Sequence, residues 1–276
     1  MAVVDLWTAR DAERAARLKS AADAGLLADG LFAIEGADEA AVRAALATLD
    51  GWGAAVRARV VDESPAAHAK ALADVLGGAG LAGDRTDYHA VAKSELTQVI
   101  ARRTGMPILL SSVWILVGER AGLRVDGVGL PGHFVARVGG DDGVLVDPFR
   151  AGLSLELAEC RRLVRAATGQ DTPWDDAYLR PCSVPDLLER VLHNLARSHE
   201  GTRDLVAQHR VASLWCALRP SSPQPAMRHA TLTEALGARE SARAEYGAVI
   251  ERFPGSPEAR AATDRLARMP PSSALN

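Results

Sequence analysis

The stretch Leu130-Pro131-Gly132-His133-Phe134-Val135-Ala136-Arg137-Val138-Gly139-Gly140-Asp141-Asp142-Gly143-Val144-Leu145-Val146-Asp147-Pro148-Phe149 decides how this chain is read. Two alternating runs, residues 134–138 and 144–147, flank a glycine- and aspartate-rich centre that tolerates positive φ in a short antiparallel connection. The pattern predicts a β-hairpin. Folding the chain about Gly140 and Asp141 makes paired positions sum to about 280 to 282, so His133 falls beside Asp147. Cross-strand partners have Cβ atoms roughly 4.5–5.5 Å apart, within reach of an imidazole–carboxylate hydrogen bond. A histidine held in this way has its tautomer fixed and its imidazolium stabilised, as a general base requires.

Composition bounds the remaining possibilities. The chain has 276 residues, 48% apolar and 24% charged, with a formal charge of −3, so it can bury a substantial core and gives no reason to expect nucleic acid as a partner. Basic charge is almost all arginine, with lysine only at Lys19, Lys70 and Lys93, and alanine is abundant, which suits a GC-rich bacterial source. Cys160, Cys182 and Cys216 are an odd number with no CxxC spacing, so neither a disulfide framework nor a zinc site is indicated and a reducing cytoplasm is expected. His193, His199, His209 and His229 are not adjacent helical positions and suggest no metal. No cofactor is expected. Asp5, Asp11 and Glu13 interrupt the N-terminal region, which does not read as a signal peptide, and no segment approaches membrane-spanning length.

Outward from the hairpin, the pattern becomes helical. Residues 6–27 and 38–50 have a helical period, and residues 54–76 continue in the same manner, giving a helical lead-in over residues 1–76. Gly77-Gly78-Ala79-Gly80 reads as a helix terminator, since no Gly-Lys-Ser/Thr follows to make a phosphate loop. A helix is expected near residues 94–103. Met106-Pro107 to Gly122 brackets a further helix that is apolar nearly all round, with proline at its start and glycine at its end. A strand over residues 123–130, the hairpin and a helix over residues 155–167 complete an α+β core spanning residues 77–180. Beyond it, helices are expected at residues 186–198, 203–218, 226–236, 239–252 and 257–269, with a disordered tail at 270–276. Pro220 and Pro254 lie 34 residues apart, the tetratricopeptide period, and Ala242, Tyr246 and Pro254 stand at that repeat's small, aromatic and proline positions.

Arg103-Thr104-Gly105-Met106-Pro107-Ile108, Gly127 to Phe134 and Asp147-Pro148-Phe149 resemble the bacterial transglutaminase-like core family with a C-terminal tetratricopeptide region, whose members are often labelled regulators of invasin expression. The resemblance implies a transglutaminase-like, papain-like fold over residues 1–180 and repeats over residues 185–269. By position it makes His133 the general base and Asp147 its orienting partner. The family's cysteine nucleophile would fall near Pro107 or Ile108, and all three cysteines lie downstream of the dyad. Two local departures stand beside these matches: Tyr88-His89-Ala90-Val91-Ala92-Lys93-Ser94 replaces a Tyr-Tyr-Asp-Pro-Arg-Asn-Ser-like stretch, and Arg150-Ala151 replaces a His-Gly or Asn-Gly pair.

Neither proline nor isoleucine can replace a thiolate, so standard transglutaminase chemistry is not expected. Ser111 approaches the dyad in one reading and is a small packing residue of a buried helix in the other. Cys160 reads as a core cysteine. Candidate substrate contacts are Ser111, Trp114, Pro131, Gly132, Arg150 and Trp174, the last equally readable as an anchor for its linker. Two functions remain. One is a specialised hydrolase, cyclase or lyase using His133 and Asp147 on an acyl, amide or peptide-like substrate. The alternative is a non-catalytic module that binds a peptide or protein segment, with the repeats engaging a protein partner.

Overall fold

The computed structural model describes residues 9–87, 90–169 and 173–269. The chain falls into two units, one of residues 21–191 and one of residues 1–20 with 192–276. Their boundaries lie inside two helices, α1 (Ala9–Ala24) and α8 (Val184–Thr202). The start of the first expected helix, Tyr88, His89, Thr172 and the expected tail at 270–276 lie outside the described residues.

The unit of residues 21–191 begins with α2 (Leu27–Glu35), α3 (Glu39–Arg57) and α4 (Pro65–Gly78). Local chemistry starts the latter two. Asp38 accepts the Ala41 N–H at 2.8 Å, and Ser64 accepts that of Ala67 at 3.2 Å with Pro65 at the first helical position. The Ser64-Pro65 start divides the helical pattern of residues 54–76 between the end of α3 and α4. The chain leaves α3 after Arg57 and turns through Asp62, whose carboxylate accepts the Ser64 N–H at 2.8 Å.

A 3₁₀ turn, Val91–Ser94, leads into α5 (Leu96–Arg102) and then α6 (Pro107–Ala121). Gly122 closes α6 with φ of 79°, a conformation that glycine adopts without steric cost. Buried side chains surround α6 on nearly every side, and it packs against α3, α5 and the sheet. Four antiparallel strands follow in spatial order: β1 (Val125–Val128), β2 (Val135–Val138), β3 (Val144–Asp147) and β4 (Leu153–Ser154). β4 was not expected, and the strand read over residues 123–130 is shorter at both ends.

Every residue of β2 is buried because both faces of the sheet are covered. Gly127, paired with Ala136, faces Phe134 and Ile115 of α6, so the face carrying Ala136 and Val146 points toward that helix. The opposite face carries Val135 and Leu145, which pack with Val128, Leu130 and Leu155 against Cys160 and Val164 of α7 (Leu157–Thr168). A 3₁₀ turn, Asp176–Leu179, then leads toward α8. The fold is α+β.

The second unit is helical over its described residues: α9 (Leu205–Leu218), α10 (Pro223–Ala235), α11 (Arg239–Arg252) and α12 (Pro257–Arg268) follow the last part of α8. Small residues at Ala230, Ala242 and Ala262 let α10, α11 and α12 approach closely around Tyr246 and Val249. Beside this core lies a buried polar network. His209 Nε2 stands 3.1 Å from Thr233 Oγ1, which donates to Glu245 Oε2 at 2.9 Å, while His229 Nδ1 donates to the same oxygen at 2.8 Å.

Burial, together with the His229 ring 4.2 Å away, pulls the His209 pKa down to about 4. An imidazole whose folded-state pKa lies below its unfolded value, about 6.5, stabilises in full above that value and less as pH falls from there toward 4. Urea midpoints of the whole chain should therefore drop between pH 6.5 and 4, and His209→Gln should flatten that drop. Equal pH slopes in the two proteins would count against the assignment.

Candidate active site

His133 is presented by a four-residue turn. Leu130 O accepts the His133 N–H at 3.1 Å, with Pro131 at the second position and Gly132 at φ of 75° in the third, as a type II turn requires. A Cβ on Gly132 would lie 2.2 Å from that of Ala167 on α7, so glycine is needed for space as well as for φ. Arg190, from α8, donates to the same Leu130 oxygen at 3.0 Å and lays its guanidinium over the Phe134 ring at 5.4 Å. The turn is therefore held from both ends.

β2 and β3 pair with positions summing to 282, as in Ala136 with Val146. Extending that register by one places Val135, rather than His133, across from Asp147, which corrects the finer expectation of a direct pair. His133 lies two residues earlier, on the diagonal, and its side chain covers the remaining distance. His133 Nε2 stands 3.1 Å from Asp147 Oδ2.

Asp147 is the last residue of β3 and caps the 3₁₀ turn Pro148–Arg150, its Oδ1 accepting the Phe149 N–H at 3.0 Å. Oδ2 also accepts Arg150 Nε at 2.8 Å. Arg150 Nη1 reaches Glu159 Oε1 on α7 at 2.9 Å, and the other oxygen of Glu159 takes Arg162. One line of alternating charge thus runs from the imidazole to the surface. Burial opposes ionisation of Asp147, but the hydrogen bonds and charges of His133 and Arg150 outweigh it and hold the carboxyl below its usual range.

The carboxylate is 1% exposed and the imidazole 14%. A solvent-reachable ring thus rests on a buried anion. With Nε2 donating to the carboxylate, the lone pair of Nδ1 is left to accept a proton. The Phe149 ring meets the imidazole edge-on at 6.1 Å. Gly83 packs directly against Phe149, its N–H donating to Phe149 O at 2.8 Å. The buried Lys93 Nζ donates to Asp84 O at 3.0 Å and to Thr86 O, and Lys93 O accepts the Met106 N–H at the start of α6 at 2.8 Å.

The remaining sequence candidates fall in different places. Pro131, Gly132 and Arg150 adjoin the dyad. Ser111 and Trp114 are fully buried on α6: Ser111 Oγ lies 3.5 Å from Phe134 O, at the outer limit of a hydrogen bond, and the Trp114 ring packs beneath Gly152. Trp174 stacks edge-on with Tyr178 at 5.6 Å, donates to Asp176 at 2.7 Å and lies under Arg161. Glu159 and Arg190 were not singled out from sequence; an acid in the first turn of a helix was the one signal for Glu159. Burial pushes the Cys160 and Cys182 thiols up, and that of Cys216 to about 12, so none carries thiolate character at neutral pH. Among the described residues, no group of three or more His, Cys, Asp or Glu side chains is arranged to hold a metal ion. Among the described residues, no helix is long and apolar enough to cross a membrane.

A buried helix packed against a four-stranded antiparallel sheet fits a transglutaminase-like core. Residues 43–193 match the transglutaminase-like superfamily (Transglut_core2), and the chain belongs to it. It is 34% identical over 181 residues to a UPF0162 protein of Xylella fastidiosa (strain 9a5c), a match covering 64% of each chain. It is also 32% identical over 112 residues to a UPF0162 protein of Pseudomonas aeruginosa, 41% of each chain. Over 122 residues it is 30% identical to F-box only protein 21 of Mus musculus, covering 41% of this chain and 18% of that protein.

Because the folded-state pKa of Asp147 is depressed, its network stabilises in full above the unfolded value near 4 and is lost as pH falls through the folded one. Asp147→Asn should cost on the order of 1–3 kcal/mol at pH 7 and shrink toward no cost in strong acid. Urea unfolding of both proteins at pH 7 and below pH 3 measures this. A cost independent of pH would reject the charged network.

Proposed function

We propose that the protein is an enzyme without a cysteine nucleophile, using His133 as general base and Asp147 as its orienting partner on an acyl, amide or peptide-like substrate. The single observation that carries this reading is the 3.1 Å contact between an accessible imidazole and a carboxylate that is 1% exposed. His133 Nδ1 takes a proton from water or from the substrate, and Asp147 stabilises the imidazolium that results. The reaction class is hydrolysis, cyclisation or elimination, to which a positioned base contributes about 10²–10⁴-fold. Pro131, Gly132 and Arg150 supply the substrate wall nearest the base, with Ser111 and Trp114 beneath it and Trp174 farther along the same domain.

In this proposal residues 1–180 are the catalytic transglutaminase-like domain and residues 185–269 a tetratricopeptide-like region, working in the cytoplasm. The successive packing of α9 on α10, α10 on α11 and α11 on α12, with α10 to α12 meeting through alanines around Tyr246, supports the repeat reading. The cysteine-less reading is supported by Pro107 at the first position of α6 and by the raised thiol pKa values. The same features favour a second reading, a cleft that binds a peptide without turning it over while the repeats hold a protein partner.

Turnover of ester, amide and peptide libraries by the purified chain separates the two readings. His133→Ala should reduce any turnover about 10²–10⁴-fold, whereas undiminished turnover would reject the base assignment. The triple variant Cys160→Ser, Cys182→Ser, Cys216→Ser should keep its activity. Loss of activity in a folded triple variant would restore a thiol to the mechanism.

A further inference from the structure

We infer that Arg150 is the positioning residue of the dyad: by sharing Asp147 Oδ2 with His133, its fixed cation keeps the imidazole unprotonated at Nδ1 and so available as a base. The inference rests on the reading of His133 as the base and deepens it, since it concerns the state in which that base waits.

The geometry makes the sharing unequal. Arg150 Nε lies 2.8 Å from Oδ2 and His133 Nε2 lies 3.1 Å from it, while Oδ1 is taken by the Phe149 N–H. A buried aspartate facing histidine alone favours the carboxylate–imidazolium pair, in which the ring already holds the proton it should accept. A guanidinium on the same oxygen supplies the countercharge instead. A second positive charge on the ring would then face that guanidinium across one oxygen atom of a carboxylate that is 1% exposed.

Arg150 is held in this place. Pro148 starts the 3₁₀ turn, and Ala151 at φ of 53° followed by Gly152 at φ of 84° winds it tightly enough for residue 150 to fold back on residue 147. Gly152 is seated on Trp114, so the turn is clamped from below. The far side of the guanidinium is pinned by Glu159, itself paired with Arg162. The guanidinium reaches Asp147 through Nε and Glu159 through Nη1, so one side chain holds two carboxylates at once.

Other charged groups around the ring are balanced or turned elsewhere. Glu159 and Arg162 on α7 pair with each other, and Cys160 beside them carries a raised pKa. Asp84 and Lys93, on the segment next to Phe149, pair at 3.4 Å. Arg190 of α8 points to the Leu130 oxygen.

NMR titration of the His133 ring in the full chain tests the inference. The wild type should show the neutral Nε2–H tautomer at pH 7, and an imidazolium signature at that pH would overturn the inference without any substitution. In Arg150→Gln the pH at which the ring signals change should rise by at least one unit, a tenfold gain in proton affinity, while Arg150→Lys, which keeps the charge, should stay near the wild type. A merely structural role would move both variants alike, and that result, or a Gln variant that titrates like the wild type, would overturn the inference. The titration needs no substrate, so its failure is distinct from a failure of His133→Ala to reduce turnover.

Discussion

Burial of the Asp147 carboxylate is the constraint on which the site depends. An anion with almost no contact with water must find its hydrogen bonds within the protein, and here it takes a backbone N–H, an imidazole and a guanidinium. Each partner fixes a different part of the fold. The Phe149 N–H sets the turn after β3, the imidazole ties the start of β2 to the end of β3, and the guanidinium reaches across to α7 through Glu159. Removing the charge would loosen three elements at one point.

That arrangement also explains why the core is built as it is. The largely buried α6 covers one face of the sheet, and its Trp114 fills the space below the turn that carries Arg150. α7 covers the other face, crowding Gly132 with Ala167 and bringing Glu159 to Arg150. The imidazole beside these layers stays 14% exposed. Packing therefore supplies the dry surroundings of the carboxylate.

Much of this was legible in the sequence because it is written in local signals. The glycine cluster between two alternating runs identifies the hairpin, and Pro107 with Gly122 brackets α6 within a residue at each end. His133 and Asp147 were recognisable because the hairpin fold brings them together within a short stretch. The register was harder to read, since the turn leaves its centre open by a residue; the observed ladder makes the His133–Asp147 contact diagonal. β4 has two residues, too few for any period to show. The break between α3 and α4 is marked by Asp62, Ser64 and Pro65, short local signals between two helical runs. Glu159 and Arg190 act on the dyad across nine or more residues of sequence through contacts that only the assembled fold creates.

The most direct test of the central claim, that His133 and Asp147 act as one catalytic unit, is a double-mutant cycle on turnover with His133→Ala and Asp147→Asn. Residues that work together are strongly non-additive. The account predicts that the double variant loses no more activity than His133→Ala alone, because an orienting carboxylate has nothing left to orient. Losses that add in the double variant, or no loss in either single variant, would contradict it.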